Sequence, residues 1–69
     1  MRIMEPKDAA MVVRAKMQND PQPLQFSATI MEGRHIPEGT FDDFVTECQK
    51  AGLIVHSYWL NELAIISGR

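Results

Sequence analysis

Cys48 beside His35 or His56 would supply a nucleophile and its base, and Asp42, Asp43 and Glu47 could in principle hold a hard cation or shift a proton. Each arrangement also has a plain structural explanation. Catalysis through Cys48 needs a base and an orienting acid close to it in space. Cys48 instead falls in register with Phe41, Phe44, Val45 and Ala51, at the three- and four-residue spacing of an apolar helical stripe. Free cysteine is among the most buried residue types, so Cys48 reads as a small core residue.

A zinc site needs three or four ligands at compact spacing. Cys48 and His56 stand alone, and neither histidine sits in an H-x-x-x-H arrangement, so no metal is expected. Asp42 and Asp43 fit the first turn of a helix, where the macrodipole favours carboxylates by about 0.3 to 1 kcal/mol each. With Glu47 they can also present an acidic face to a basic partner. No G-x-G-x-x-G or G-x-x-x-x-G-K-[ST] run occurs, which removes the usual cradle for a dinucleotide or a nucleoside triphosphate. The expectation is a non-enzymatic chain without a cofactor.

The elements around these residues follow from local pattern. Thr40-Phe41-Asp42-Asp43 resembles a capping box, with the threonine hydroxyl accepting from the third helical amide and Asp43 as a short version of the usual Glu. The helix it opens should close at Gly52, with Leu53 folding back towards Cys48. An earlier helix is expected from about residue 5 to 18: Pro6 suits a first helical position, Asp8 the positive end of the dipole, and Ala10, Val13 and Met17 form an apolar face. Asn19-Asp20-Pro21-Gln22-Pro23 then makes a stiff connector.

Leu24, Phe26, Ala28 and Ile30 alternate with Gln25, Ser27 and Thr29, which predicts a half-buried strand over 24–31. Residues 33–39, with two glycines and a proline, suit a surface loop. Leu53-Ile54-Val55-His56 favours a short buried strand, and Trp59, Leu60, Leu63, Ala64 and Ile66 trace a helical stripe from Ser57, a suitable N-cap. A rival reading runs the strand on through Trp59, because Val-His-Ser-Tyr-Trp is also rich in strand formers. The resulting order is helix, strand, helix, strand, helix in a single domain over 1–69. The fold class is α+β, mostly helical, with two or three helices and a short two-stranded sheet; an all-α domain is the alternative.

Composition narrows the function. Sixty-nine residues bury only about 60% of the surface of the unfolded chain. A single cysteine allows no internal disulfide, so association, as a homodimer or with a partner, is the expected supplement. At 45% hydrophobic and 23% charged, the chain has the make-up of a folded globule and not of a disordered tail. No signal-peptide pattern or membrane-length apolar run is present, and a cytoplasmic location is expected. A formal net charge of −2 opposes binding to a nucleic-acid backbone.

Residues 40–66 do have the outline of a helix-turn-helix, which makes a DNA-binding accessory protein one alternative. The would-be recognition helix over 57–67 offers Asn61 and Glu62 but no Lys or Arg, against the usual needs of base and phosphate contacts. Met11, Met17, Met31, Ile36, Tyr58 and Trp59 form a surplus of residue types that protein interfaces favour. His35, Ile36, Asp42, Asp43, Glu47, Tyr58 and Trp59 are therefore the candidate partner-binding residues.

In length, mild acidity and lack of catalytic equipment, the chain resembles the small antagonists of transcription regulators encoded by temperate phages, of the antirepressor type that includes the repressor inactivator Coi. The resemblance is one of type and carries over no functional residue. It implies a protein that binds a regulator stoichiometrically and disables it, by blocking its DNA surface or by breaking its oligomer. An antitoxin-like or purely structural dimerisation module is the third expectation.

Overall fold

The computed structural model describes residues 2–31, 33–60 and 62–68. It is an α+β domain with two helices and two three-stranded sheets. Both sheets exceed the two-stranded one expected.

Helix α1 (Pro6–Asn19) begins where the pattern places it. Glu5 is held extended at ψ 150° ahead of Pro6, whose ring disfavours helical geometry in the preceding residue. Ala9, Ala10, Val13 and Met17 are its buried face. Two alanines on that face let helix α2 (Phe41–Lys50) pack close against it, through Phe41, Phe44, Val45 and Cys48.

The start of α2 departs from the capping box. Thr40 has φ −107° and ψ 13°, outside the extended geometry that aims an N-cap side chain at the amides of the first turn. Its hydroxyl donates to the Pro37 carbonyl at 2.6 Å, and its own carbonyl accepts from Phe44 N–H at 3.1 Å. Thr40 thus fastens the loop that enters the helix. The far end matches expectation: Gly52 at φ 89° donates to Gln49, and Leu53 N–H reaches back to the Cys48 carbonyl at 3.0 Å. This pair of bonds is a Schellman closure, and it drops Leu53 into the core.

The described residues form no third helix. Residues 57–59 and 63–67 belong instead to a hairpin of β5 (Ile54–Trp59) and β6 (Leu63–Ser67), so the strand reading through Trp59 holds and the helix-turn-helix outline does not. Leu63-Ala64-Ile65-Ile66 suits either period, and tertiary pairing decides it. Strand β6 lies in the centre of an antiparallel sheet, between β5 and β2 (Leu24–Ser27).

The single strand expected over 24–31 breaks at Ala28. β2 stays in the larger sheet, while β3 (Thr29–Met31) turns into a smaller one with β4 (Arg34–His35) and β1 (Arg2–Ile3). β4 arises inside the stretch read as a loop; it pairs antiparallel with β3 and parallel with β1, and Ile36 N–H donates to the Ala28 carbonyl at 3.0 Å.

The core lies between the helix pair and the inner face of the larger sheet, where Phe26, Ala64 and Ile66 are buried. Phe44 is its centre, edge-on to Phe26 with ring centroids 6.4 Å apart and tilted against Phe41 at 5.4 Å. Met17 and Ile36, counted above in the apolar surplus, are core residues. Met11 is exposed as expected, and the Met31 side chain and Asn61 lie outside the described residues.

Candidate protein-binding surface

Register sorts the larger sheet into two faces, because residues paired across antiparallel strands point to the same side. Val55 opposite Ile66 and Phe26 opposite Ala64 face the helices. Ile54 opposite Ser67, Ser57 opposite Ile65 and Trp59 opposite Leu63 face away from them. On this outer face Ile54 is 44% exposed and Trp59 48%, with Leu63 and Ile65 half-buried between the flanking strands. At the hairpin turn, closed by Glu62 N–H donating to the Trp59 carbonyl at 2.9 Å, Leu60 is 72% exposed.

Tyr58 connects this hairpin end to α2. Its ring stacks on that of Phe41, with centroids 6.1 Å apart and planes 27° from parallel. Phe41 is the first residue of α2, so Asp42 and Asp43 project from the turn that carries the stack. Asp43 is exposed, whereas Asp42 is half-buried, and its Oδ1 is out of solvent with no hydrogen-bond partner among the described residues. Tyr58 thus lies against the helical turn that carries Asp42 and Asp43, while Trp59, the next residue, faces the other side of the sheet.

The other expected residues do not join them. Glu47 pairs with Lys50 at 3.4 Å and lines a groove between the helices with Lys7 and Arg14, where its charge is answered locally. His35 lies in the central strand of the smaller sheet, its Nδ1 3.3 Å from the Thr29 hydroxyl. Ile36, one residue on, points into the core and is unavailable to a partner. Conversely, Leu60 and Glu62 are exposed at the hairpin turn and Ile54 at the far end of β5, opposite Ser67, and none of them was singled out from sequence as a partner-binding residue. Strand alternation puts Ile54 and Val55 on opposite faces, but Trp59 joins the face of Ile54 only through the register shift between Val55 and Ser57, which no local pattern announces.

One nucleophile–base pair does form, from residues with no sequence motif. His56 Nε2 and Ser67 Oγ share a hydrogen bond of 2.7 Å across the hairpin. Ser67 is 0% exposed, so a substrate has no approach to its oxygen, and the described residues provide no carboxylate to orient His56. The pair sits at the register shift between Val55 and Ser57, where it ties the strands together.

Cys48 is fully buried and its thiol is pushed up to about 12, first by desolvation and second by the negative charge of Glu47. Alkylation by iodoacetamide at about pH 8 is expected to be negligible in the folded protein and fast once denaturant is added; fast labelling without denaturant would contradict the buried placement. Because folding raises this pKa, its contribution to stability is complete below the free thiol's 9.0 and is lost as the pH climbs towards about 12. Cys48→Ala should flatten that alkaline loss in a melting-temperature series.

Among the described residues no group of three or more His, Cys, Asp or Glu could hold a metal ion, and no helix is long and apolar enough to cross a membrane. No family model, curated protein or solved structure matches the chain.

Proposed function

We propose that this chain is a non-enzymatic, protein-binding antagonist that binds and inactivates a transcription regulator, acting in the cytoplasm, that of the host if a phage encodes it. The observation that carries the reading is the exposed end of the hairpin, Tyr58, Trp59 and Leu60, tied to the first residue of α2 by the Tyr58–Phe41 stack. It leaves aromatic and aliphatic area exposed, on a domain whose one cysteine is buried and whose His56–Ser67 pair is closed to substrate. Large aromatic side chains are the usual anchors of protein interfaces, and charges around them chiefly set the association rate.

The alternative of a DNA-binding accessory protein depended on a recognition helix over 57–67, where residues 57–59 and 63–67 pair as strands. A gel-shift experiment tests the proposal. The purified chain alone should leave operator DNA unshifted at any salt concentration, and should release a bound regulator when the two are near equal molar amounts. Tight binding of the chain itself to the operator would sink the antagonist reading.

A further inference from the structure

We infer that the groove between α1 and α2 binds an acidic segment of another protein in polyproline II form, with two carboxylates three residues apart. The groove lies on the helical layer, whereas Trp59 faces away from the helices on the other side of the sheet. The inference therefore goes beyond the antagonist reading and does not rest on it.

Lys7, Met11, Arg14 and Gln18 recur at four- and three-residue spacing on α1, which makes them one stripe beside its buried face, and all four are exposed. Lys7, Met11 and Arg14 line one hollow together with Glu47 and Lys50 of α2. Two further hollows adjoin it at Arg14, one lined by Met11, Ala15 and Gln18, the other by Met17, Gly52 and Leu53. Arg14 thus stands in the middle of the groove and Lys7 at one end of it.

Charge selects the occupant. Glu47 spends its carboxylate on Lys50, and among the described residues neither Lys7 nor Arg14 has an ion pair. No carboxylate lies three or four residues from either cation on α1, where a helix would bring the two together. Glu5 and Asp8 line a different hollow, with Arg34. Two unanswered cations therefore flank Met11, itself 61% exposed. Seven residues of helix set Lys7 and Arg14 about 10 Å apart along the axis. A polyproline II chain repeats every three residues and rises about 9 Å in doing so, which puts its first and fourth side chains on one side at nearly that spacing. Carboxylates there meet Lys7 and Arg14, and an apolar side chain between them covers Met11.

Other occupants fit less well. A second copy lacks the pattern, because the chain's one pair of carboxylates three apart, Glu5 and Asp8, is held at the start of α1. Nucleic acid needs a run of phosphate contacts, and two free cations on a domain of net charge −2 do not provide it. Anionic lipid is met by a basic helix lying flat with large apolar side chains among the headgroups, whereas these cations line a hollow between two helices.

The probes are two synthetic peptides with blocked ends, Ser-Pro-Glu-Leu-Pro-Glu-Ser and Ser-Pro-Glu-Glu-Leu-Pro-Ser, equal in composition but for one residue order. At low salt the first should move the backbone amide resonances of residues 7–18 and 47–52, saturably, and the affinity should weaken as salt is added. The second, with its carboxylates adjacent, should bind several-fold more weakly. Lys7→Gln with Arg14→Gln should lower the affinity of the first peptide roughly tenfold, since two exposed ion pairs are lost. Lys16→Gln, an exposed cation of α1 outside the groove, should leave it unchanged. Unchanged thermal unfolding of these variants will show that the fold is intact. No binding of the first peptide, equal binding of the second, an undiminished affinity in the double Gln variant, or an equal loss in Lys16→Gln would each overturn the inference. Movement of the same amides on concentrating the protein alone, or their stronger engagement by oligothymidylate or by phosphatidylserine vesicles, would overturn it too and give the groove to a second copy, to nucleic acid or to a membrane.

Discussion

Phe44→Ala should leave the chain largely unfolded at room temperature. The side chain is fully buried and is the one ring that touches both Phe26 of the sheet and Phe41 of the neighbouring helical turn. Truncating a buried phenylalanine to alanine costs about 3 to 5 kcal/mol, from lost transfer energy plus the cavity left behind. Folded domains of this length hold only about 0.05 to 0.15 kcal/mol per residue, so the loss is of the order of the whole stability. Denaturant titration followed by circular dichroism measures it directly. A variant that keeps a cooperative transition within about 1 kcal/mol of the parent would show that the core is not organised around Phe44.

Trp59→Ala should do the reverse, keeping the fold and abolishing the antagonism. Trp59 is about half exposed on the outer face of the hairpin, opposite Leu63, and belongs to no part of the buried cluster. Its removal should cost little in stability, within the range usual for surface positions. An aromatic anchor at the centre of an interface is worth about 2 kcal/mol or more on truncation, or roughly thirtyfold in affinity for the regulator. Operator release by the variant, measured beside its melting temperature, separates the two effects. If Trp59→Ala unfolds the chain at every concentration, Trp59 is a core residue and the proposed hairpin surface loses its anchor.

Where a residue's own neighbours in sequence decided its structure, the reading held. Pro6 set the start of α1, and Gly52 with Leu53 set the end of α2, because a fixed ring and a left-handed turn act on the backbone locally. Thr40 misled because its hydroxyl has two acceptor and donor choices within one turn, and the carbonyl of Pro37 won over the helix amides. Residues 57–67 misled for a different reason. Ala64 and Ile66 satisfy a helical stripe and an alternating strand equally well, and the choice is made by β2 and β5 lying on either side.

The candidate site shows the same division. Tyr58 and Trp59 stood out by residue type, and Asp42 and Asp43 by their place at a helix start, yet nothing local says that Tyr58 stacks on Phe41 at the turn carrying those aspartates while Trp59 faces the other side of the sheet. Ile36 was drawn in as an apolar residue of an expected surface loop, and Glu47 by its nearness in sequence to Asp42 and Asp43. Packing sends Ile36 into the core and turns Glu47 towards Lys50.

The placement of β6 also governs how the domain comes into being on the ribosome. It is the last strand in chain order and the middle one of its sheet, so β2 and β5 have no shared neighbour until residues 63–67 have emerged. Until then two strands wait with unpaired backbone edges and Phe26 lacks the Ala64 backbone it lies against, a form open to aggregation and proteolysis. The nascent chain can build its helices early, but β2 and β5 become strands of one sheet only when the final strand arrives to pair with both.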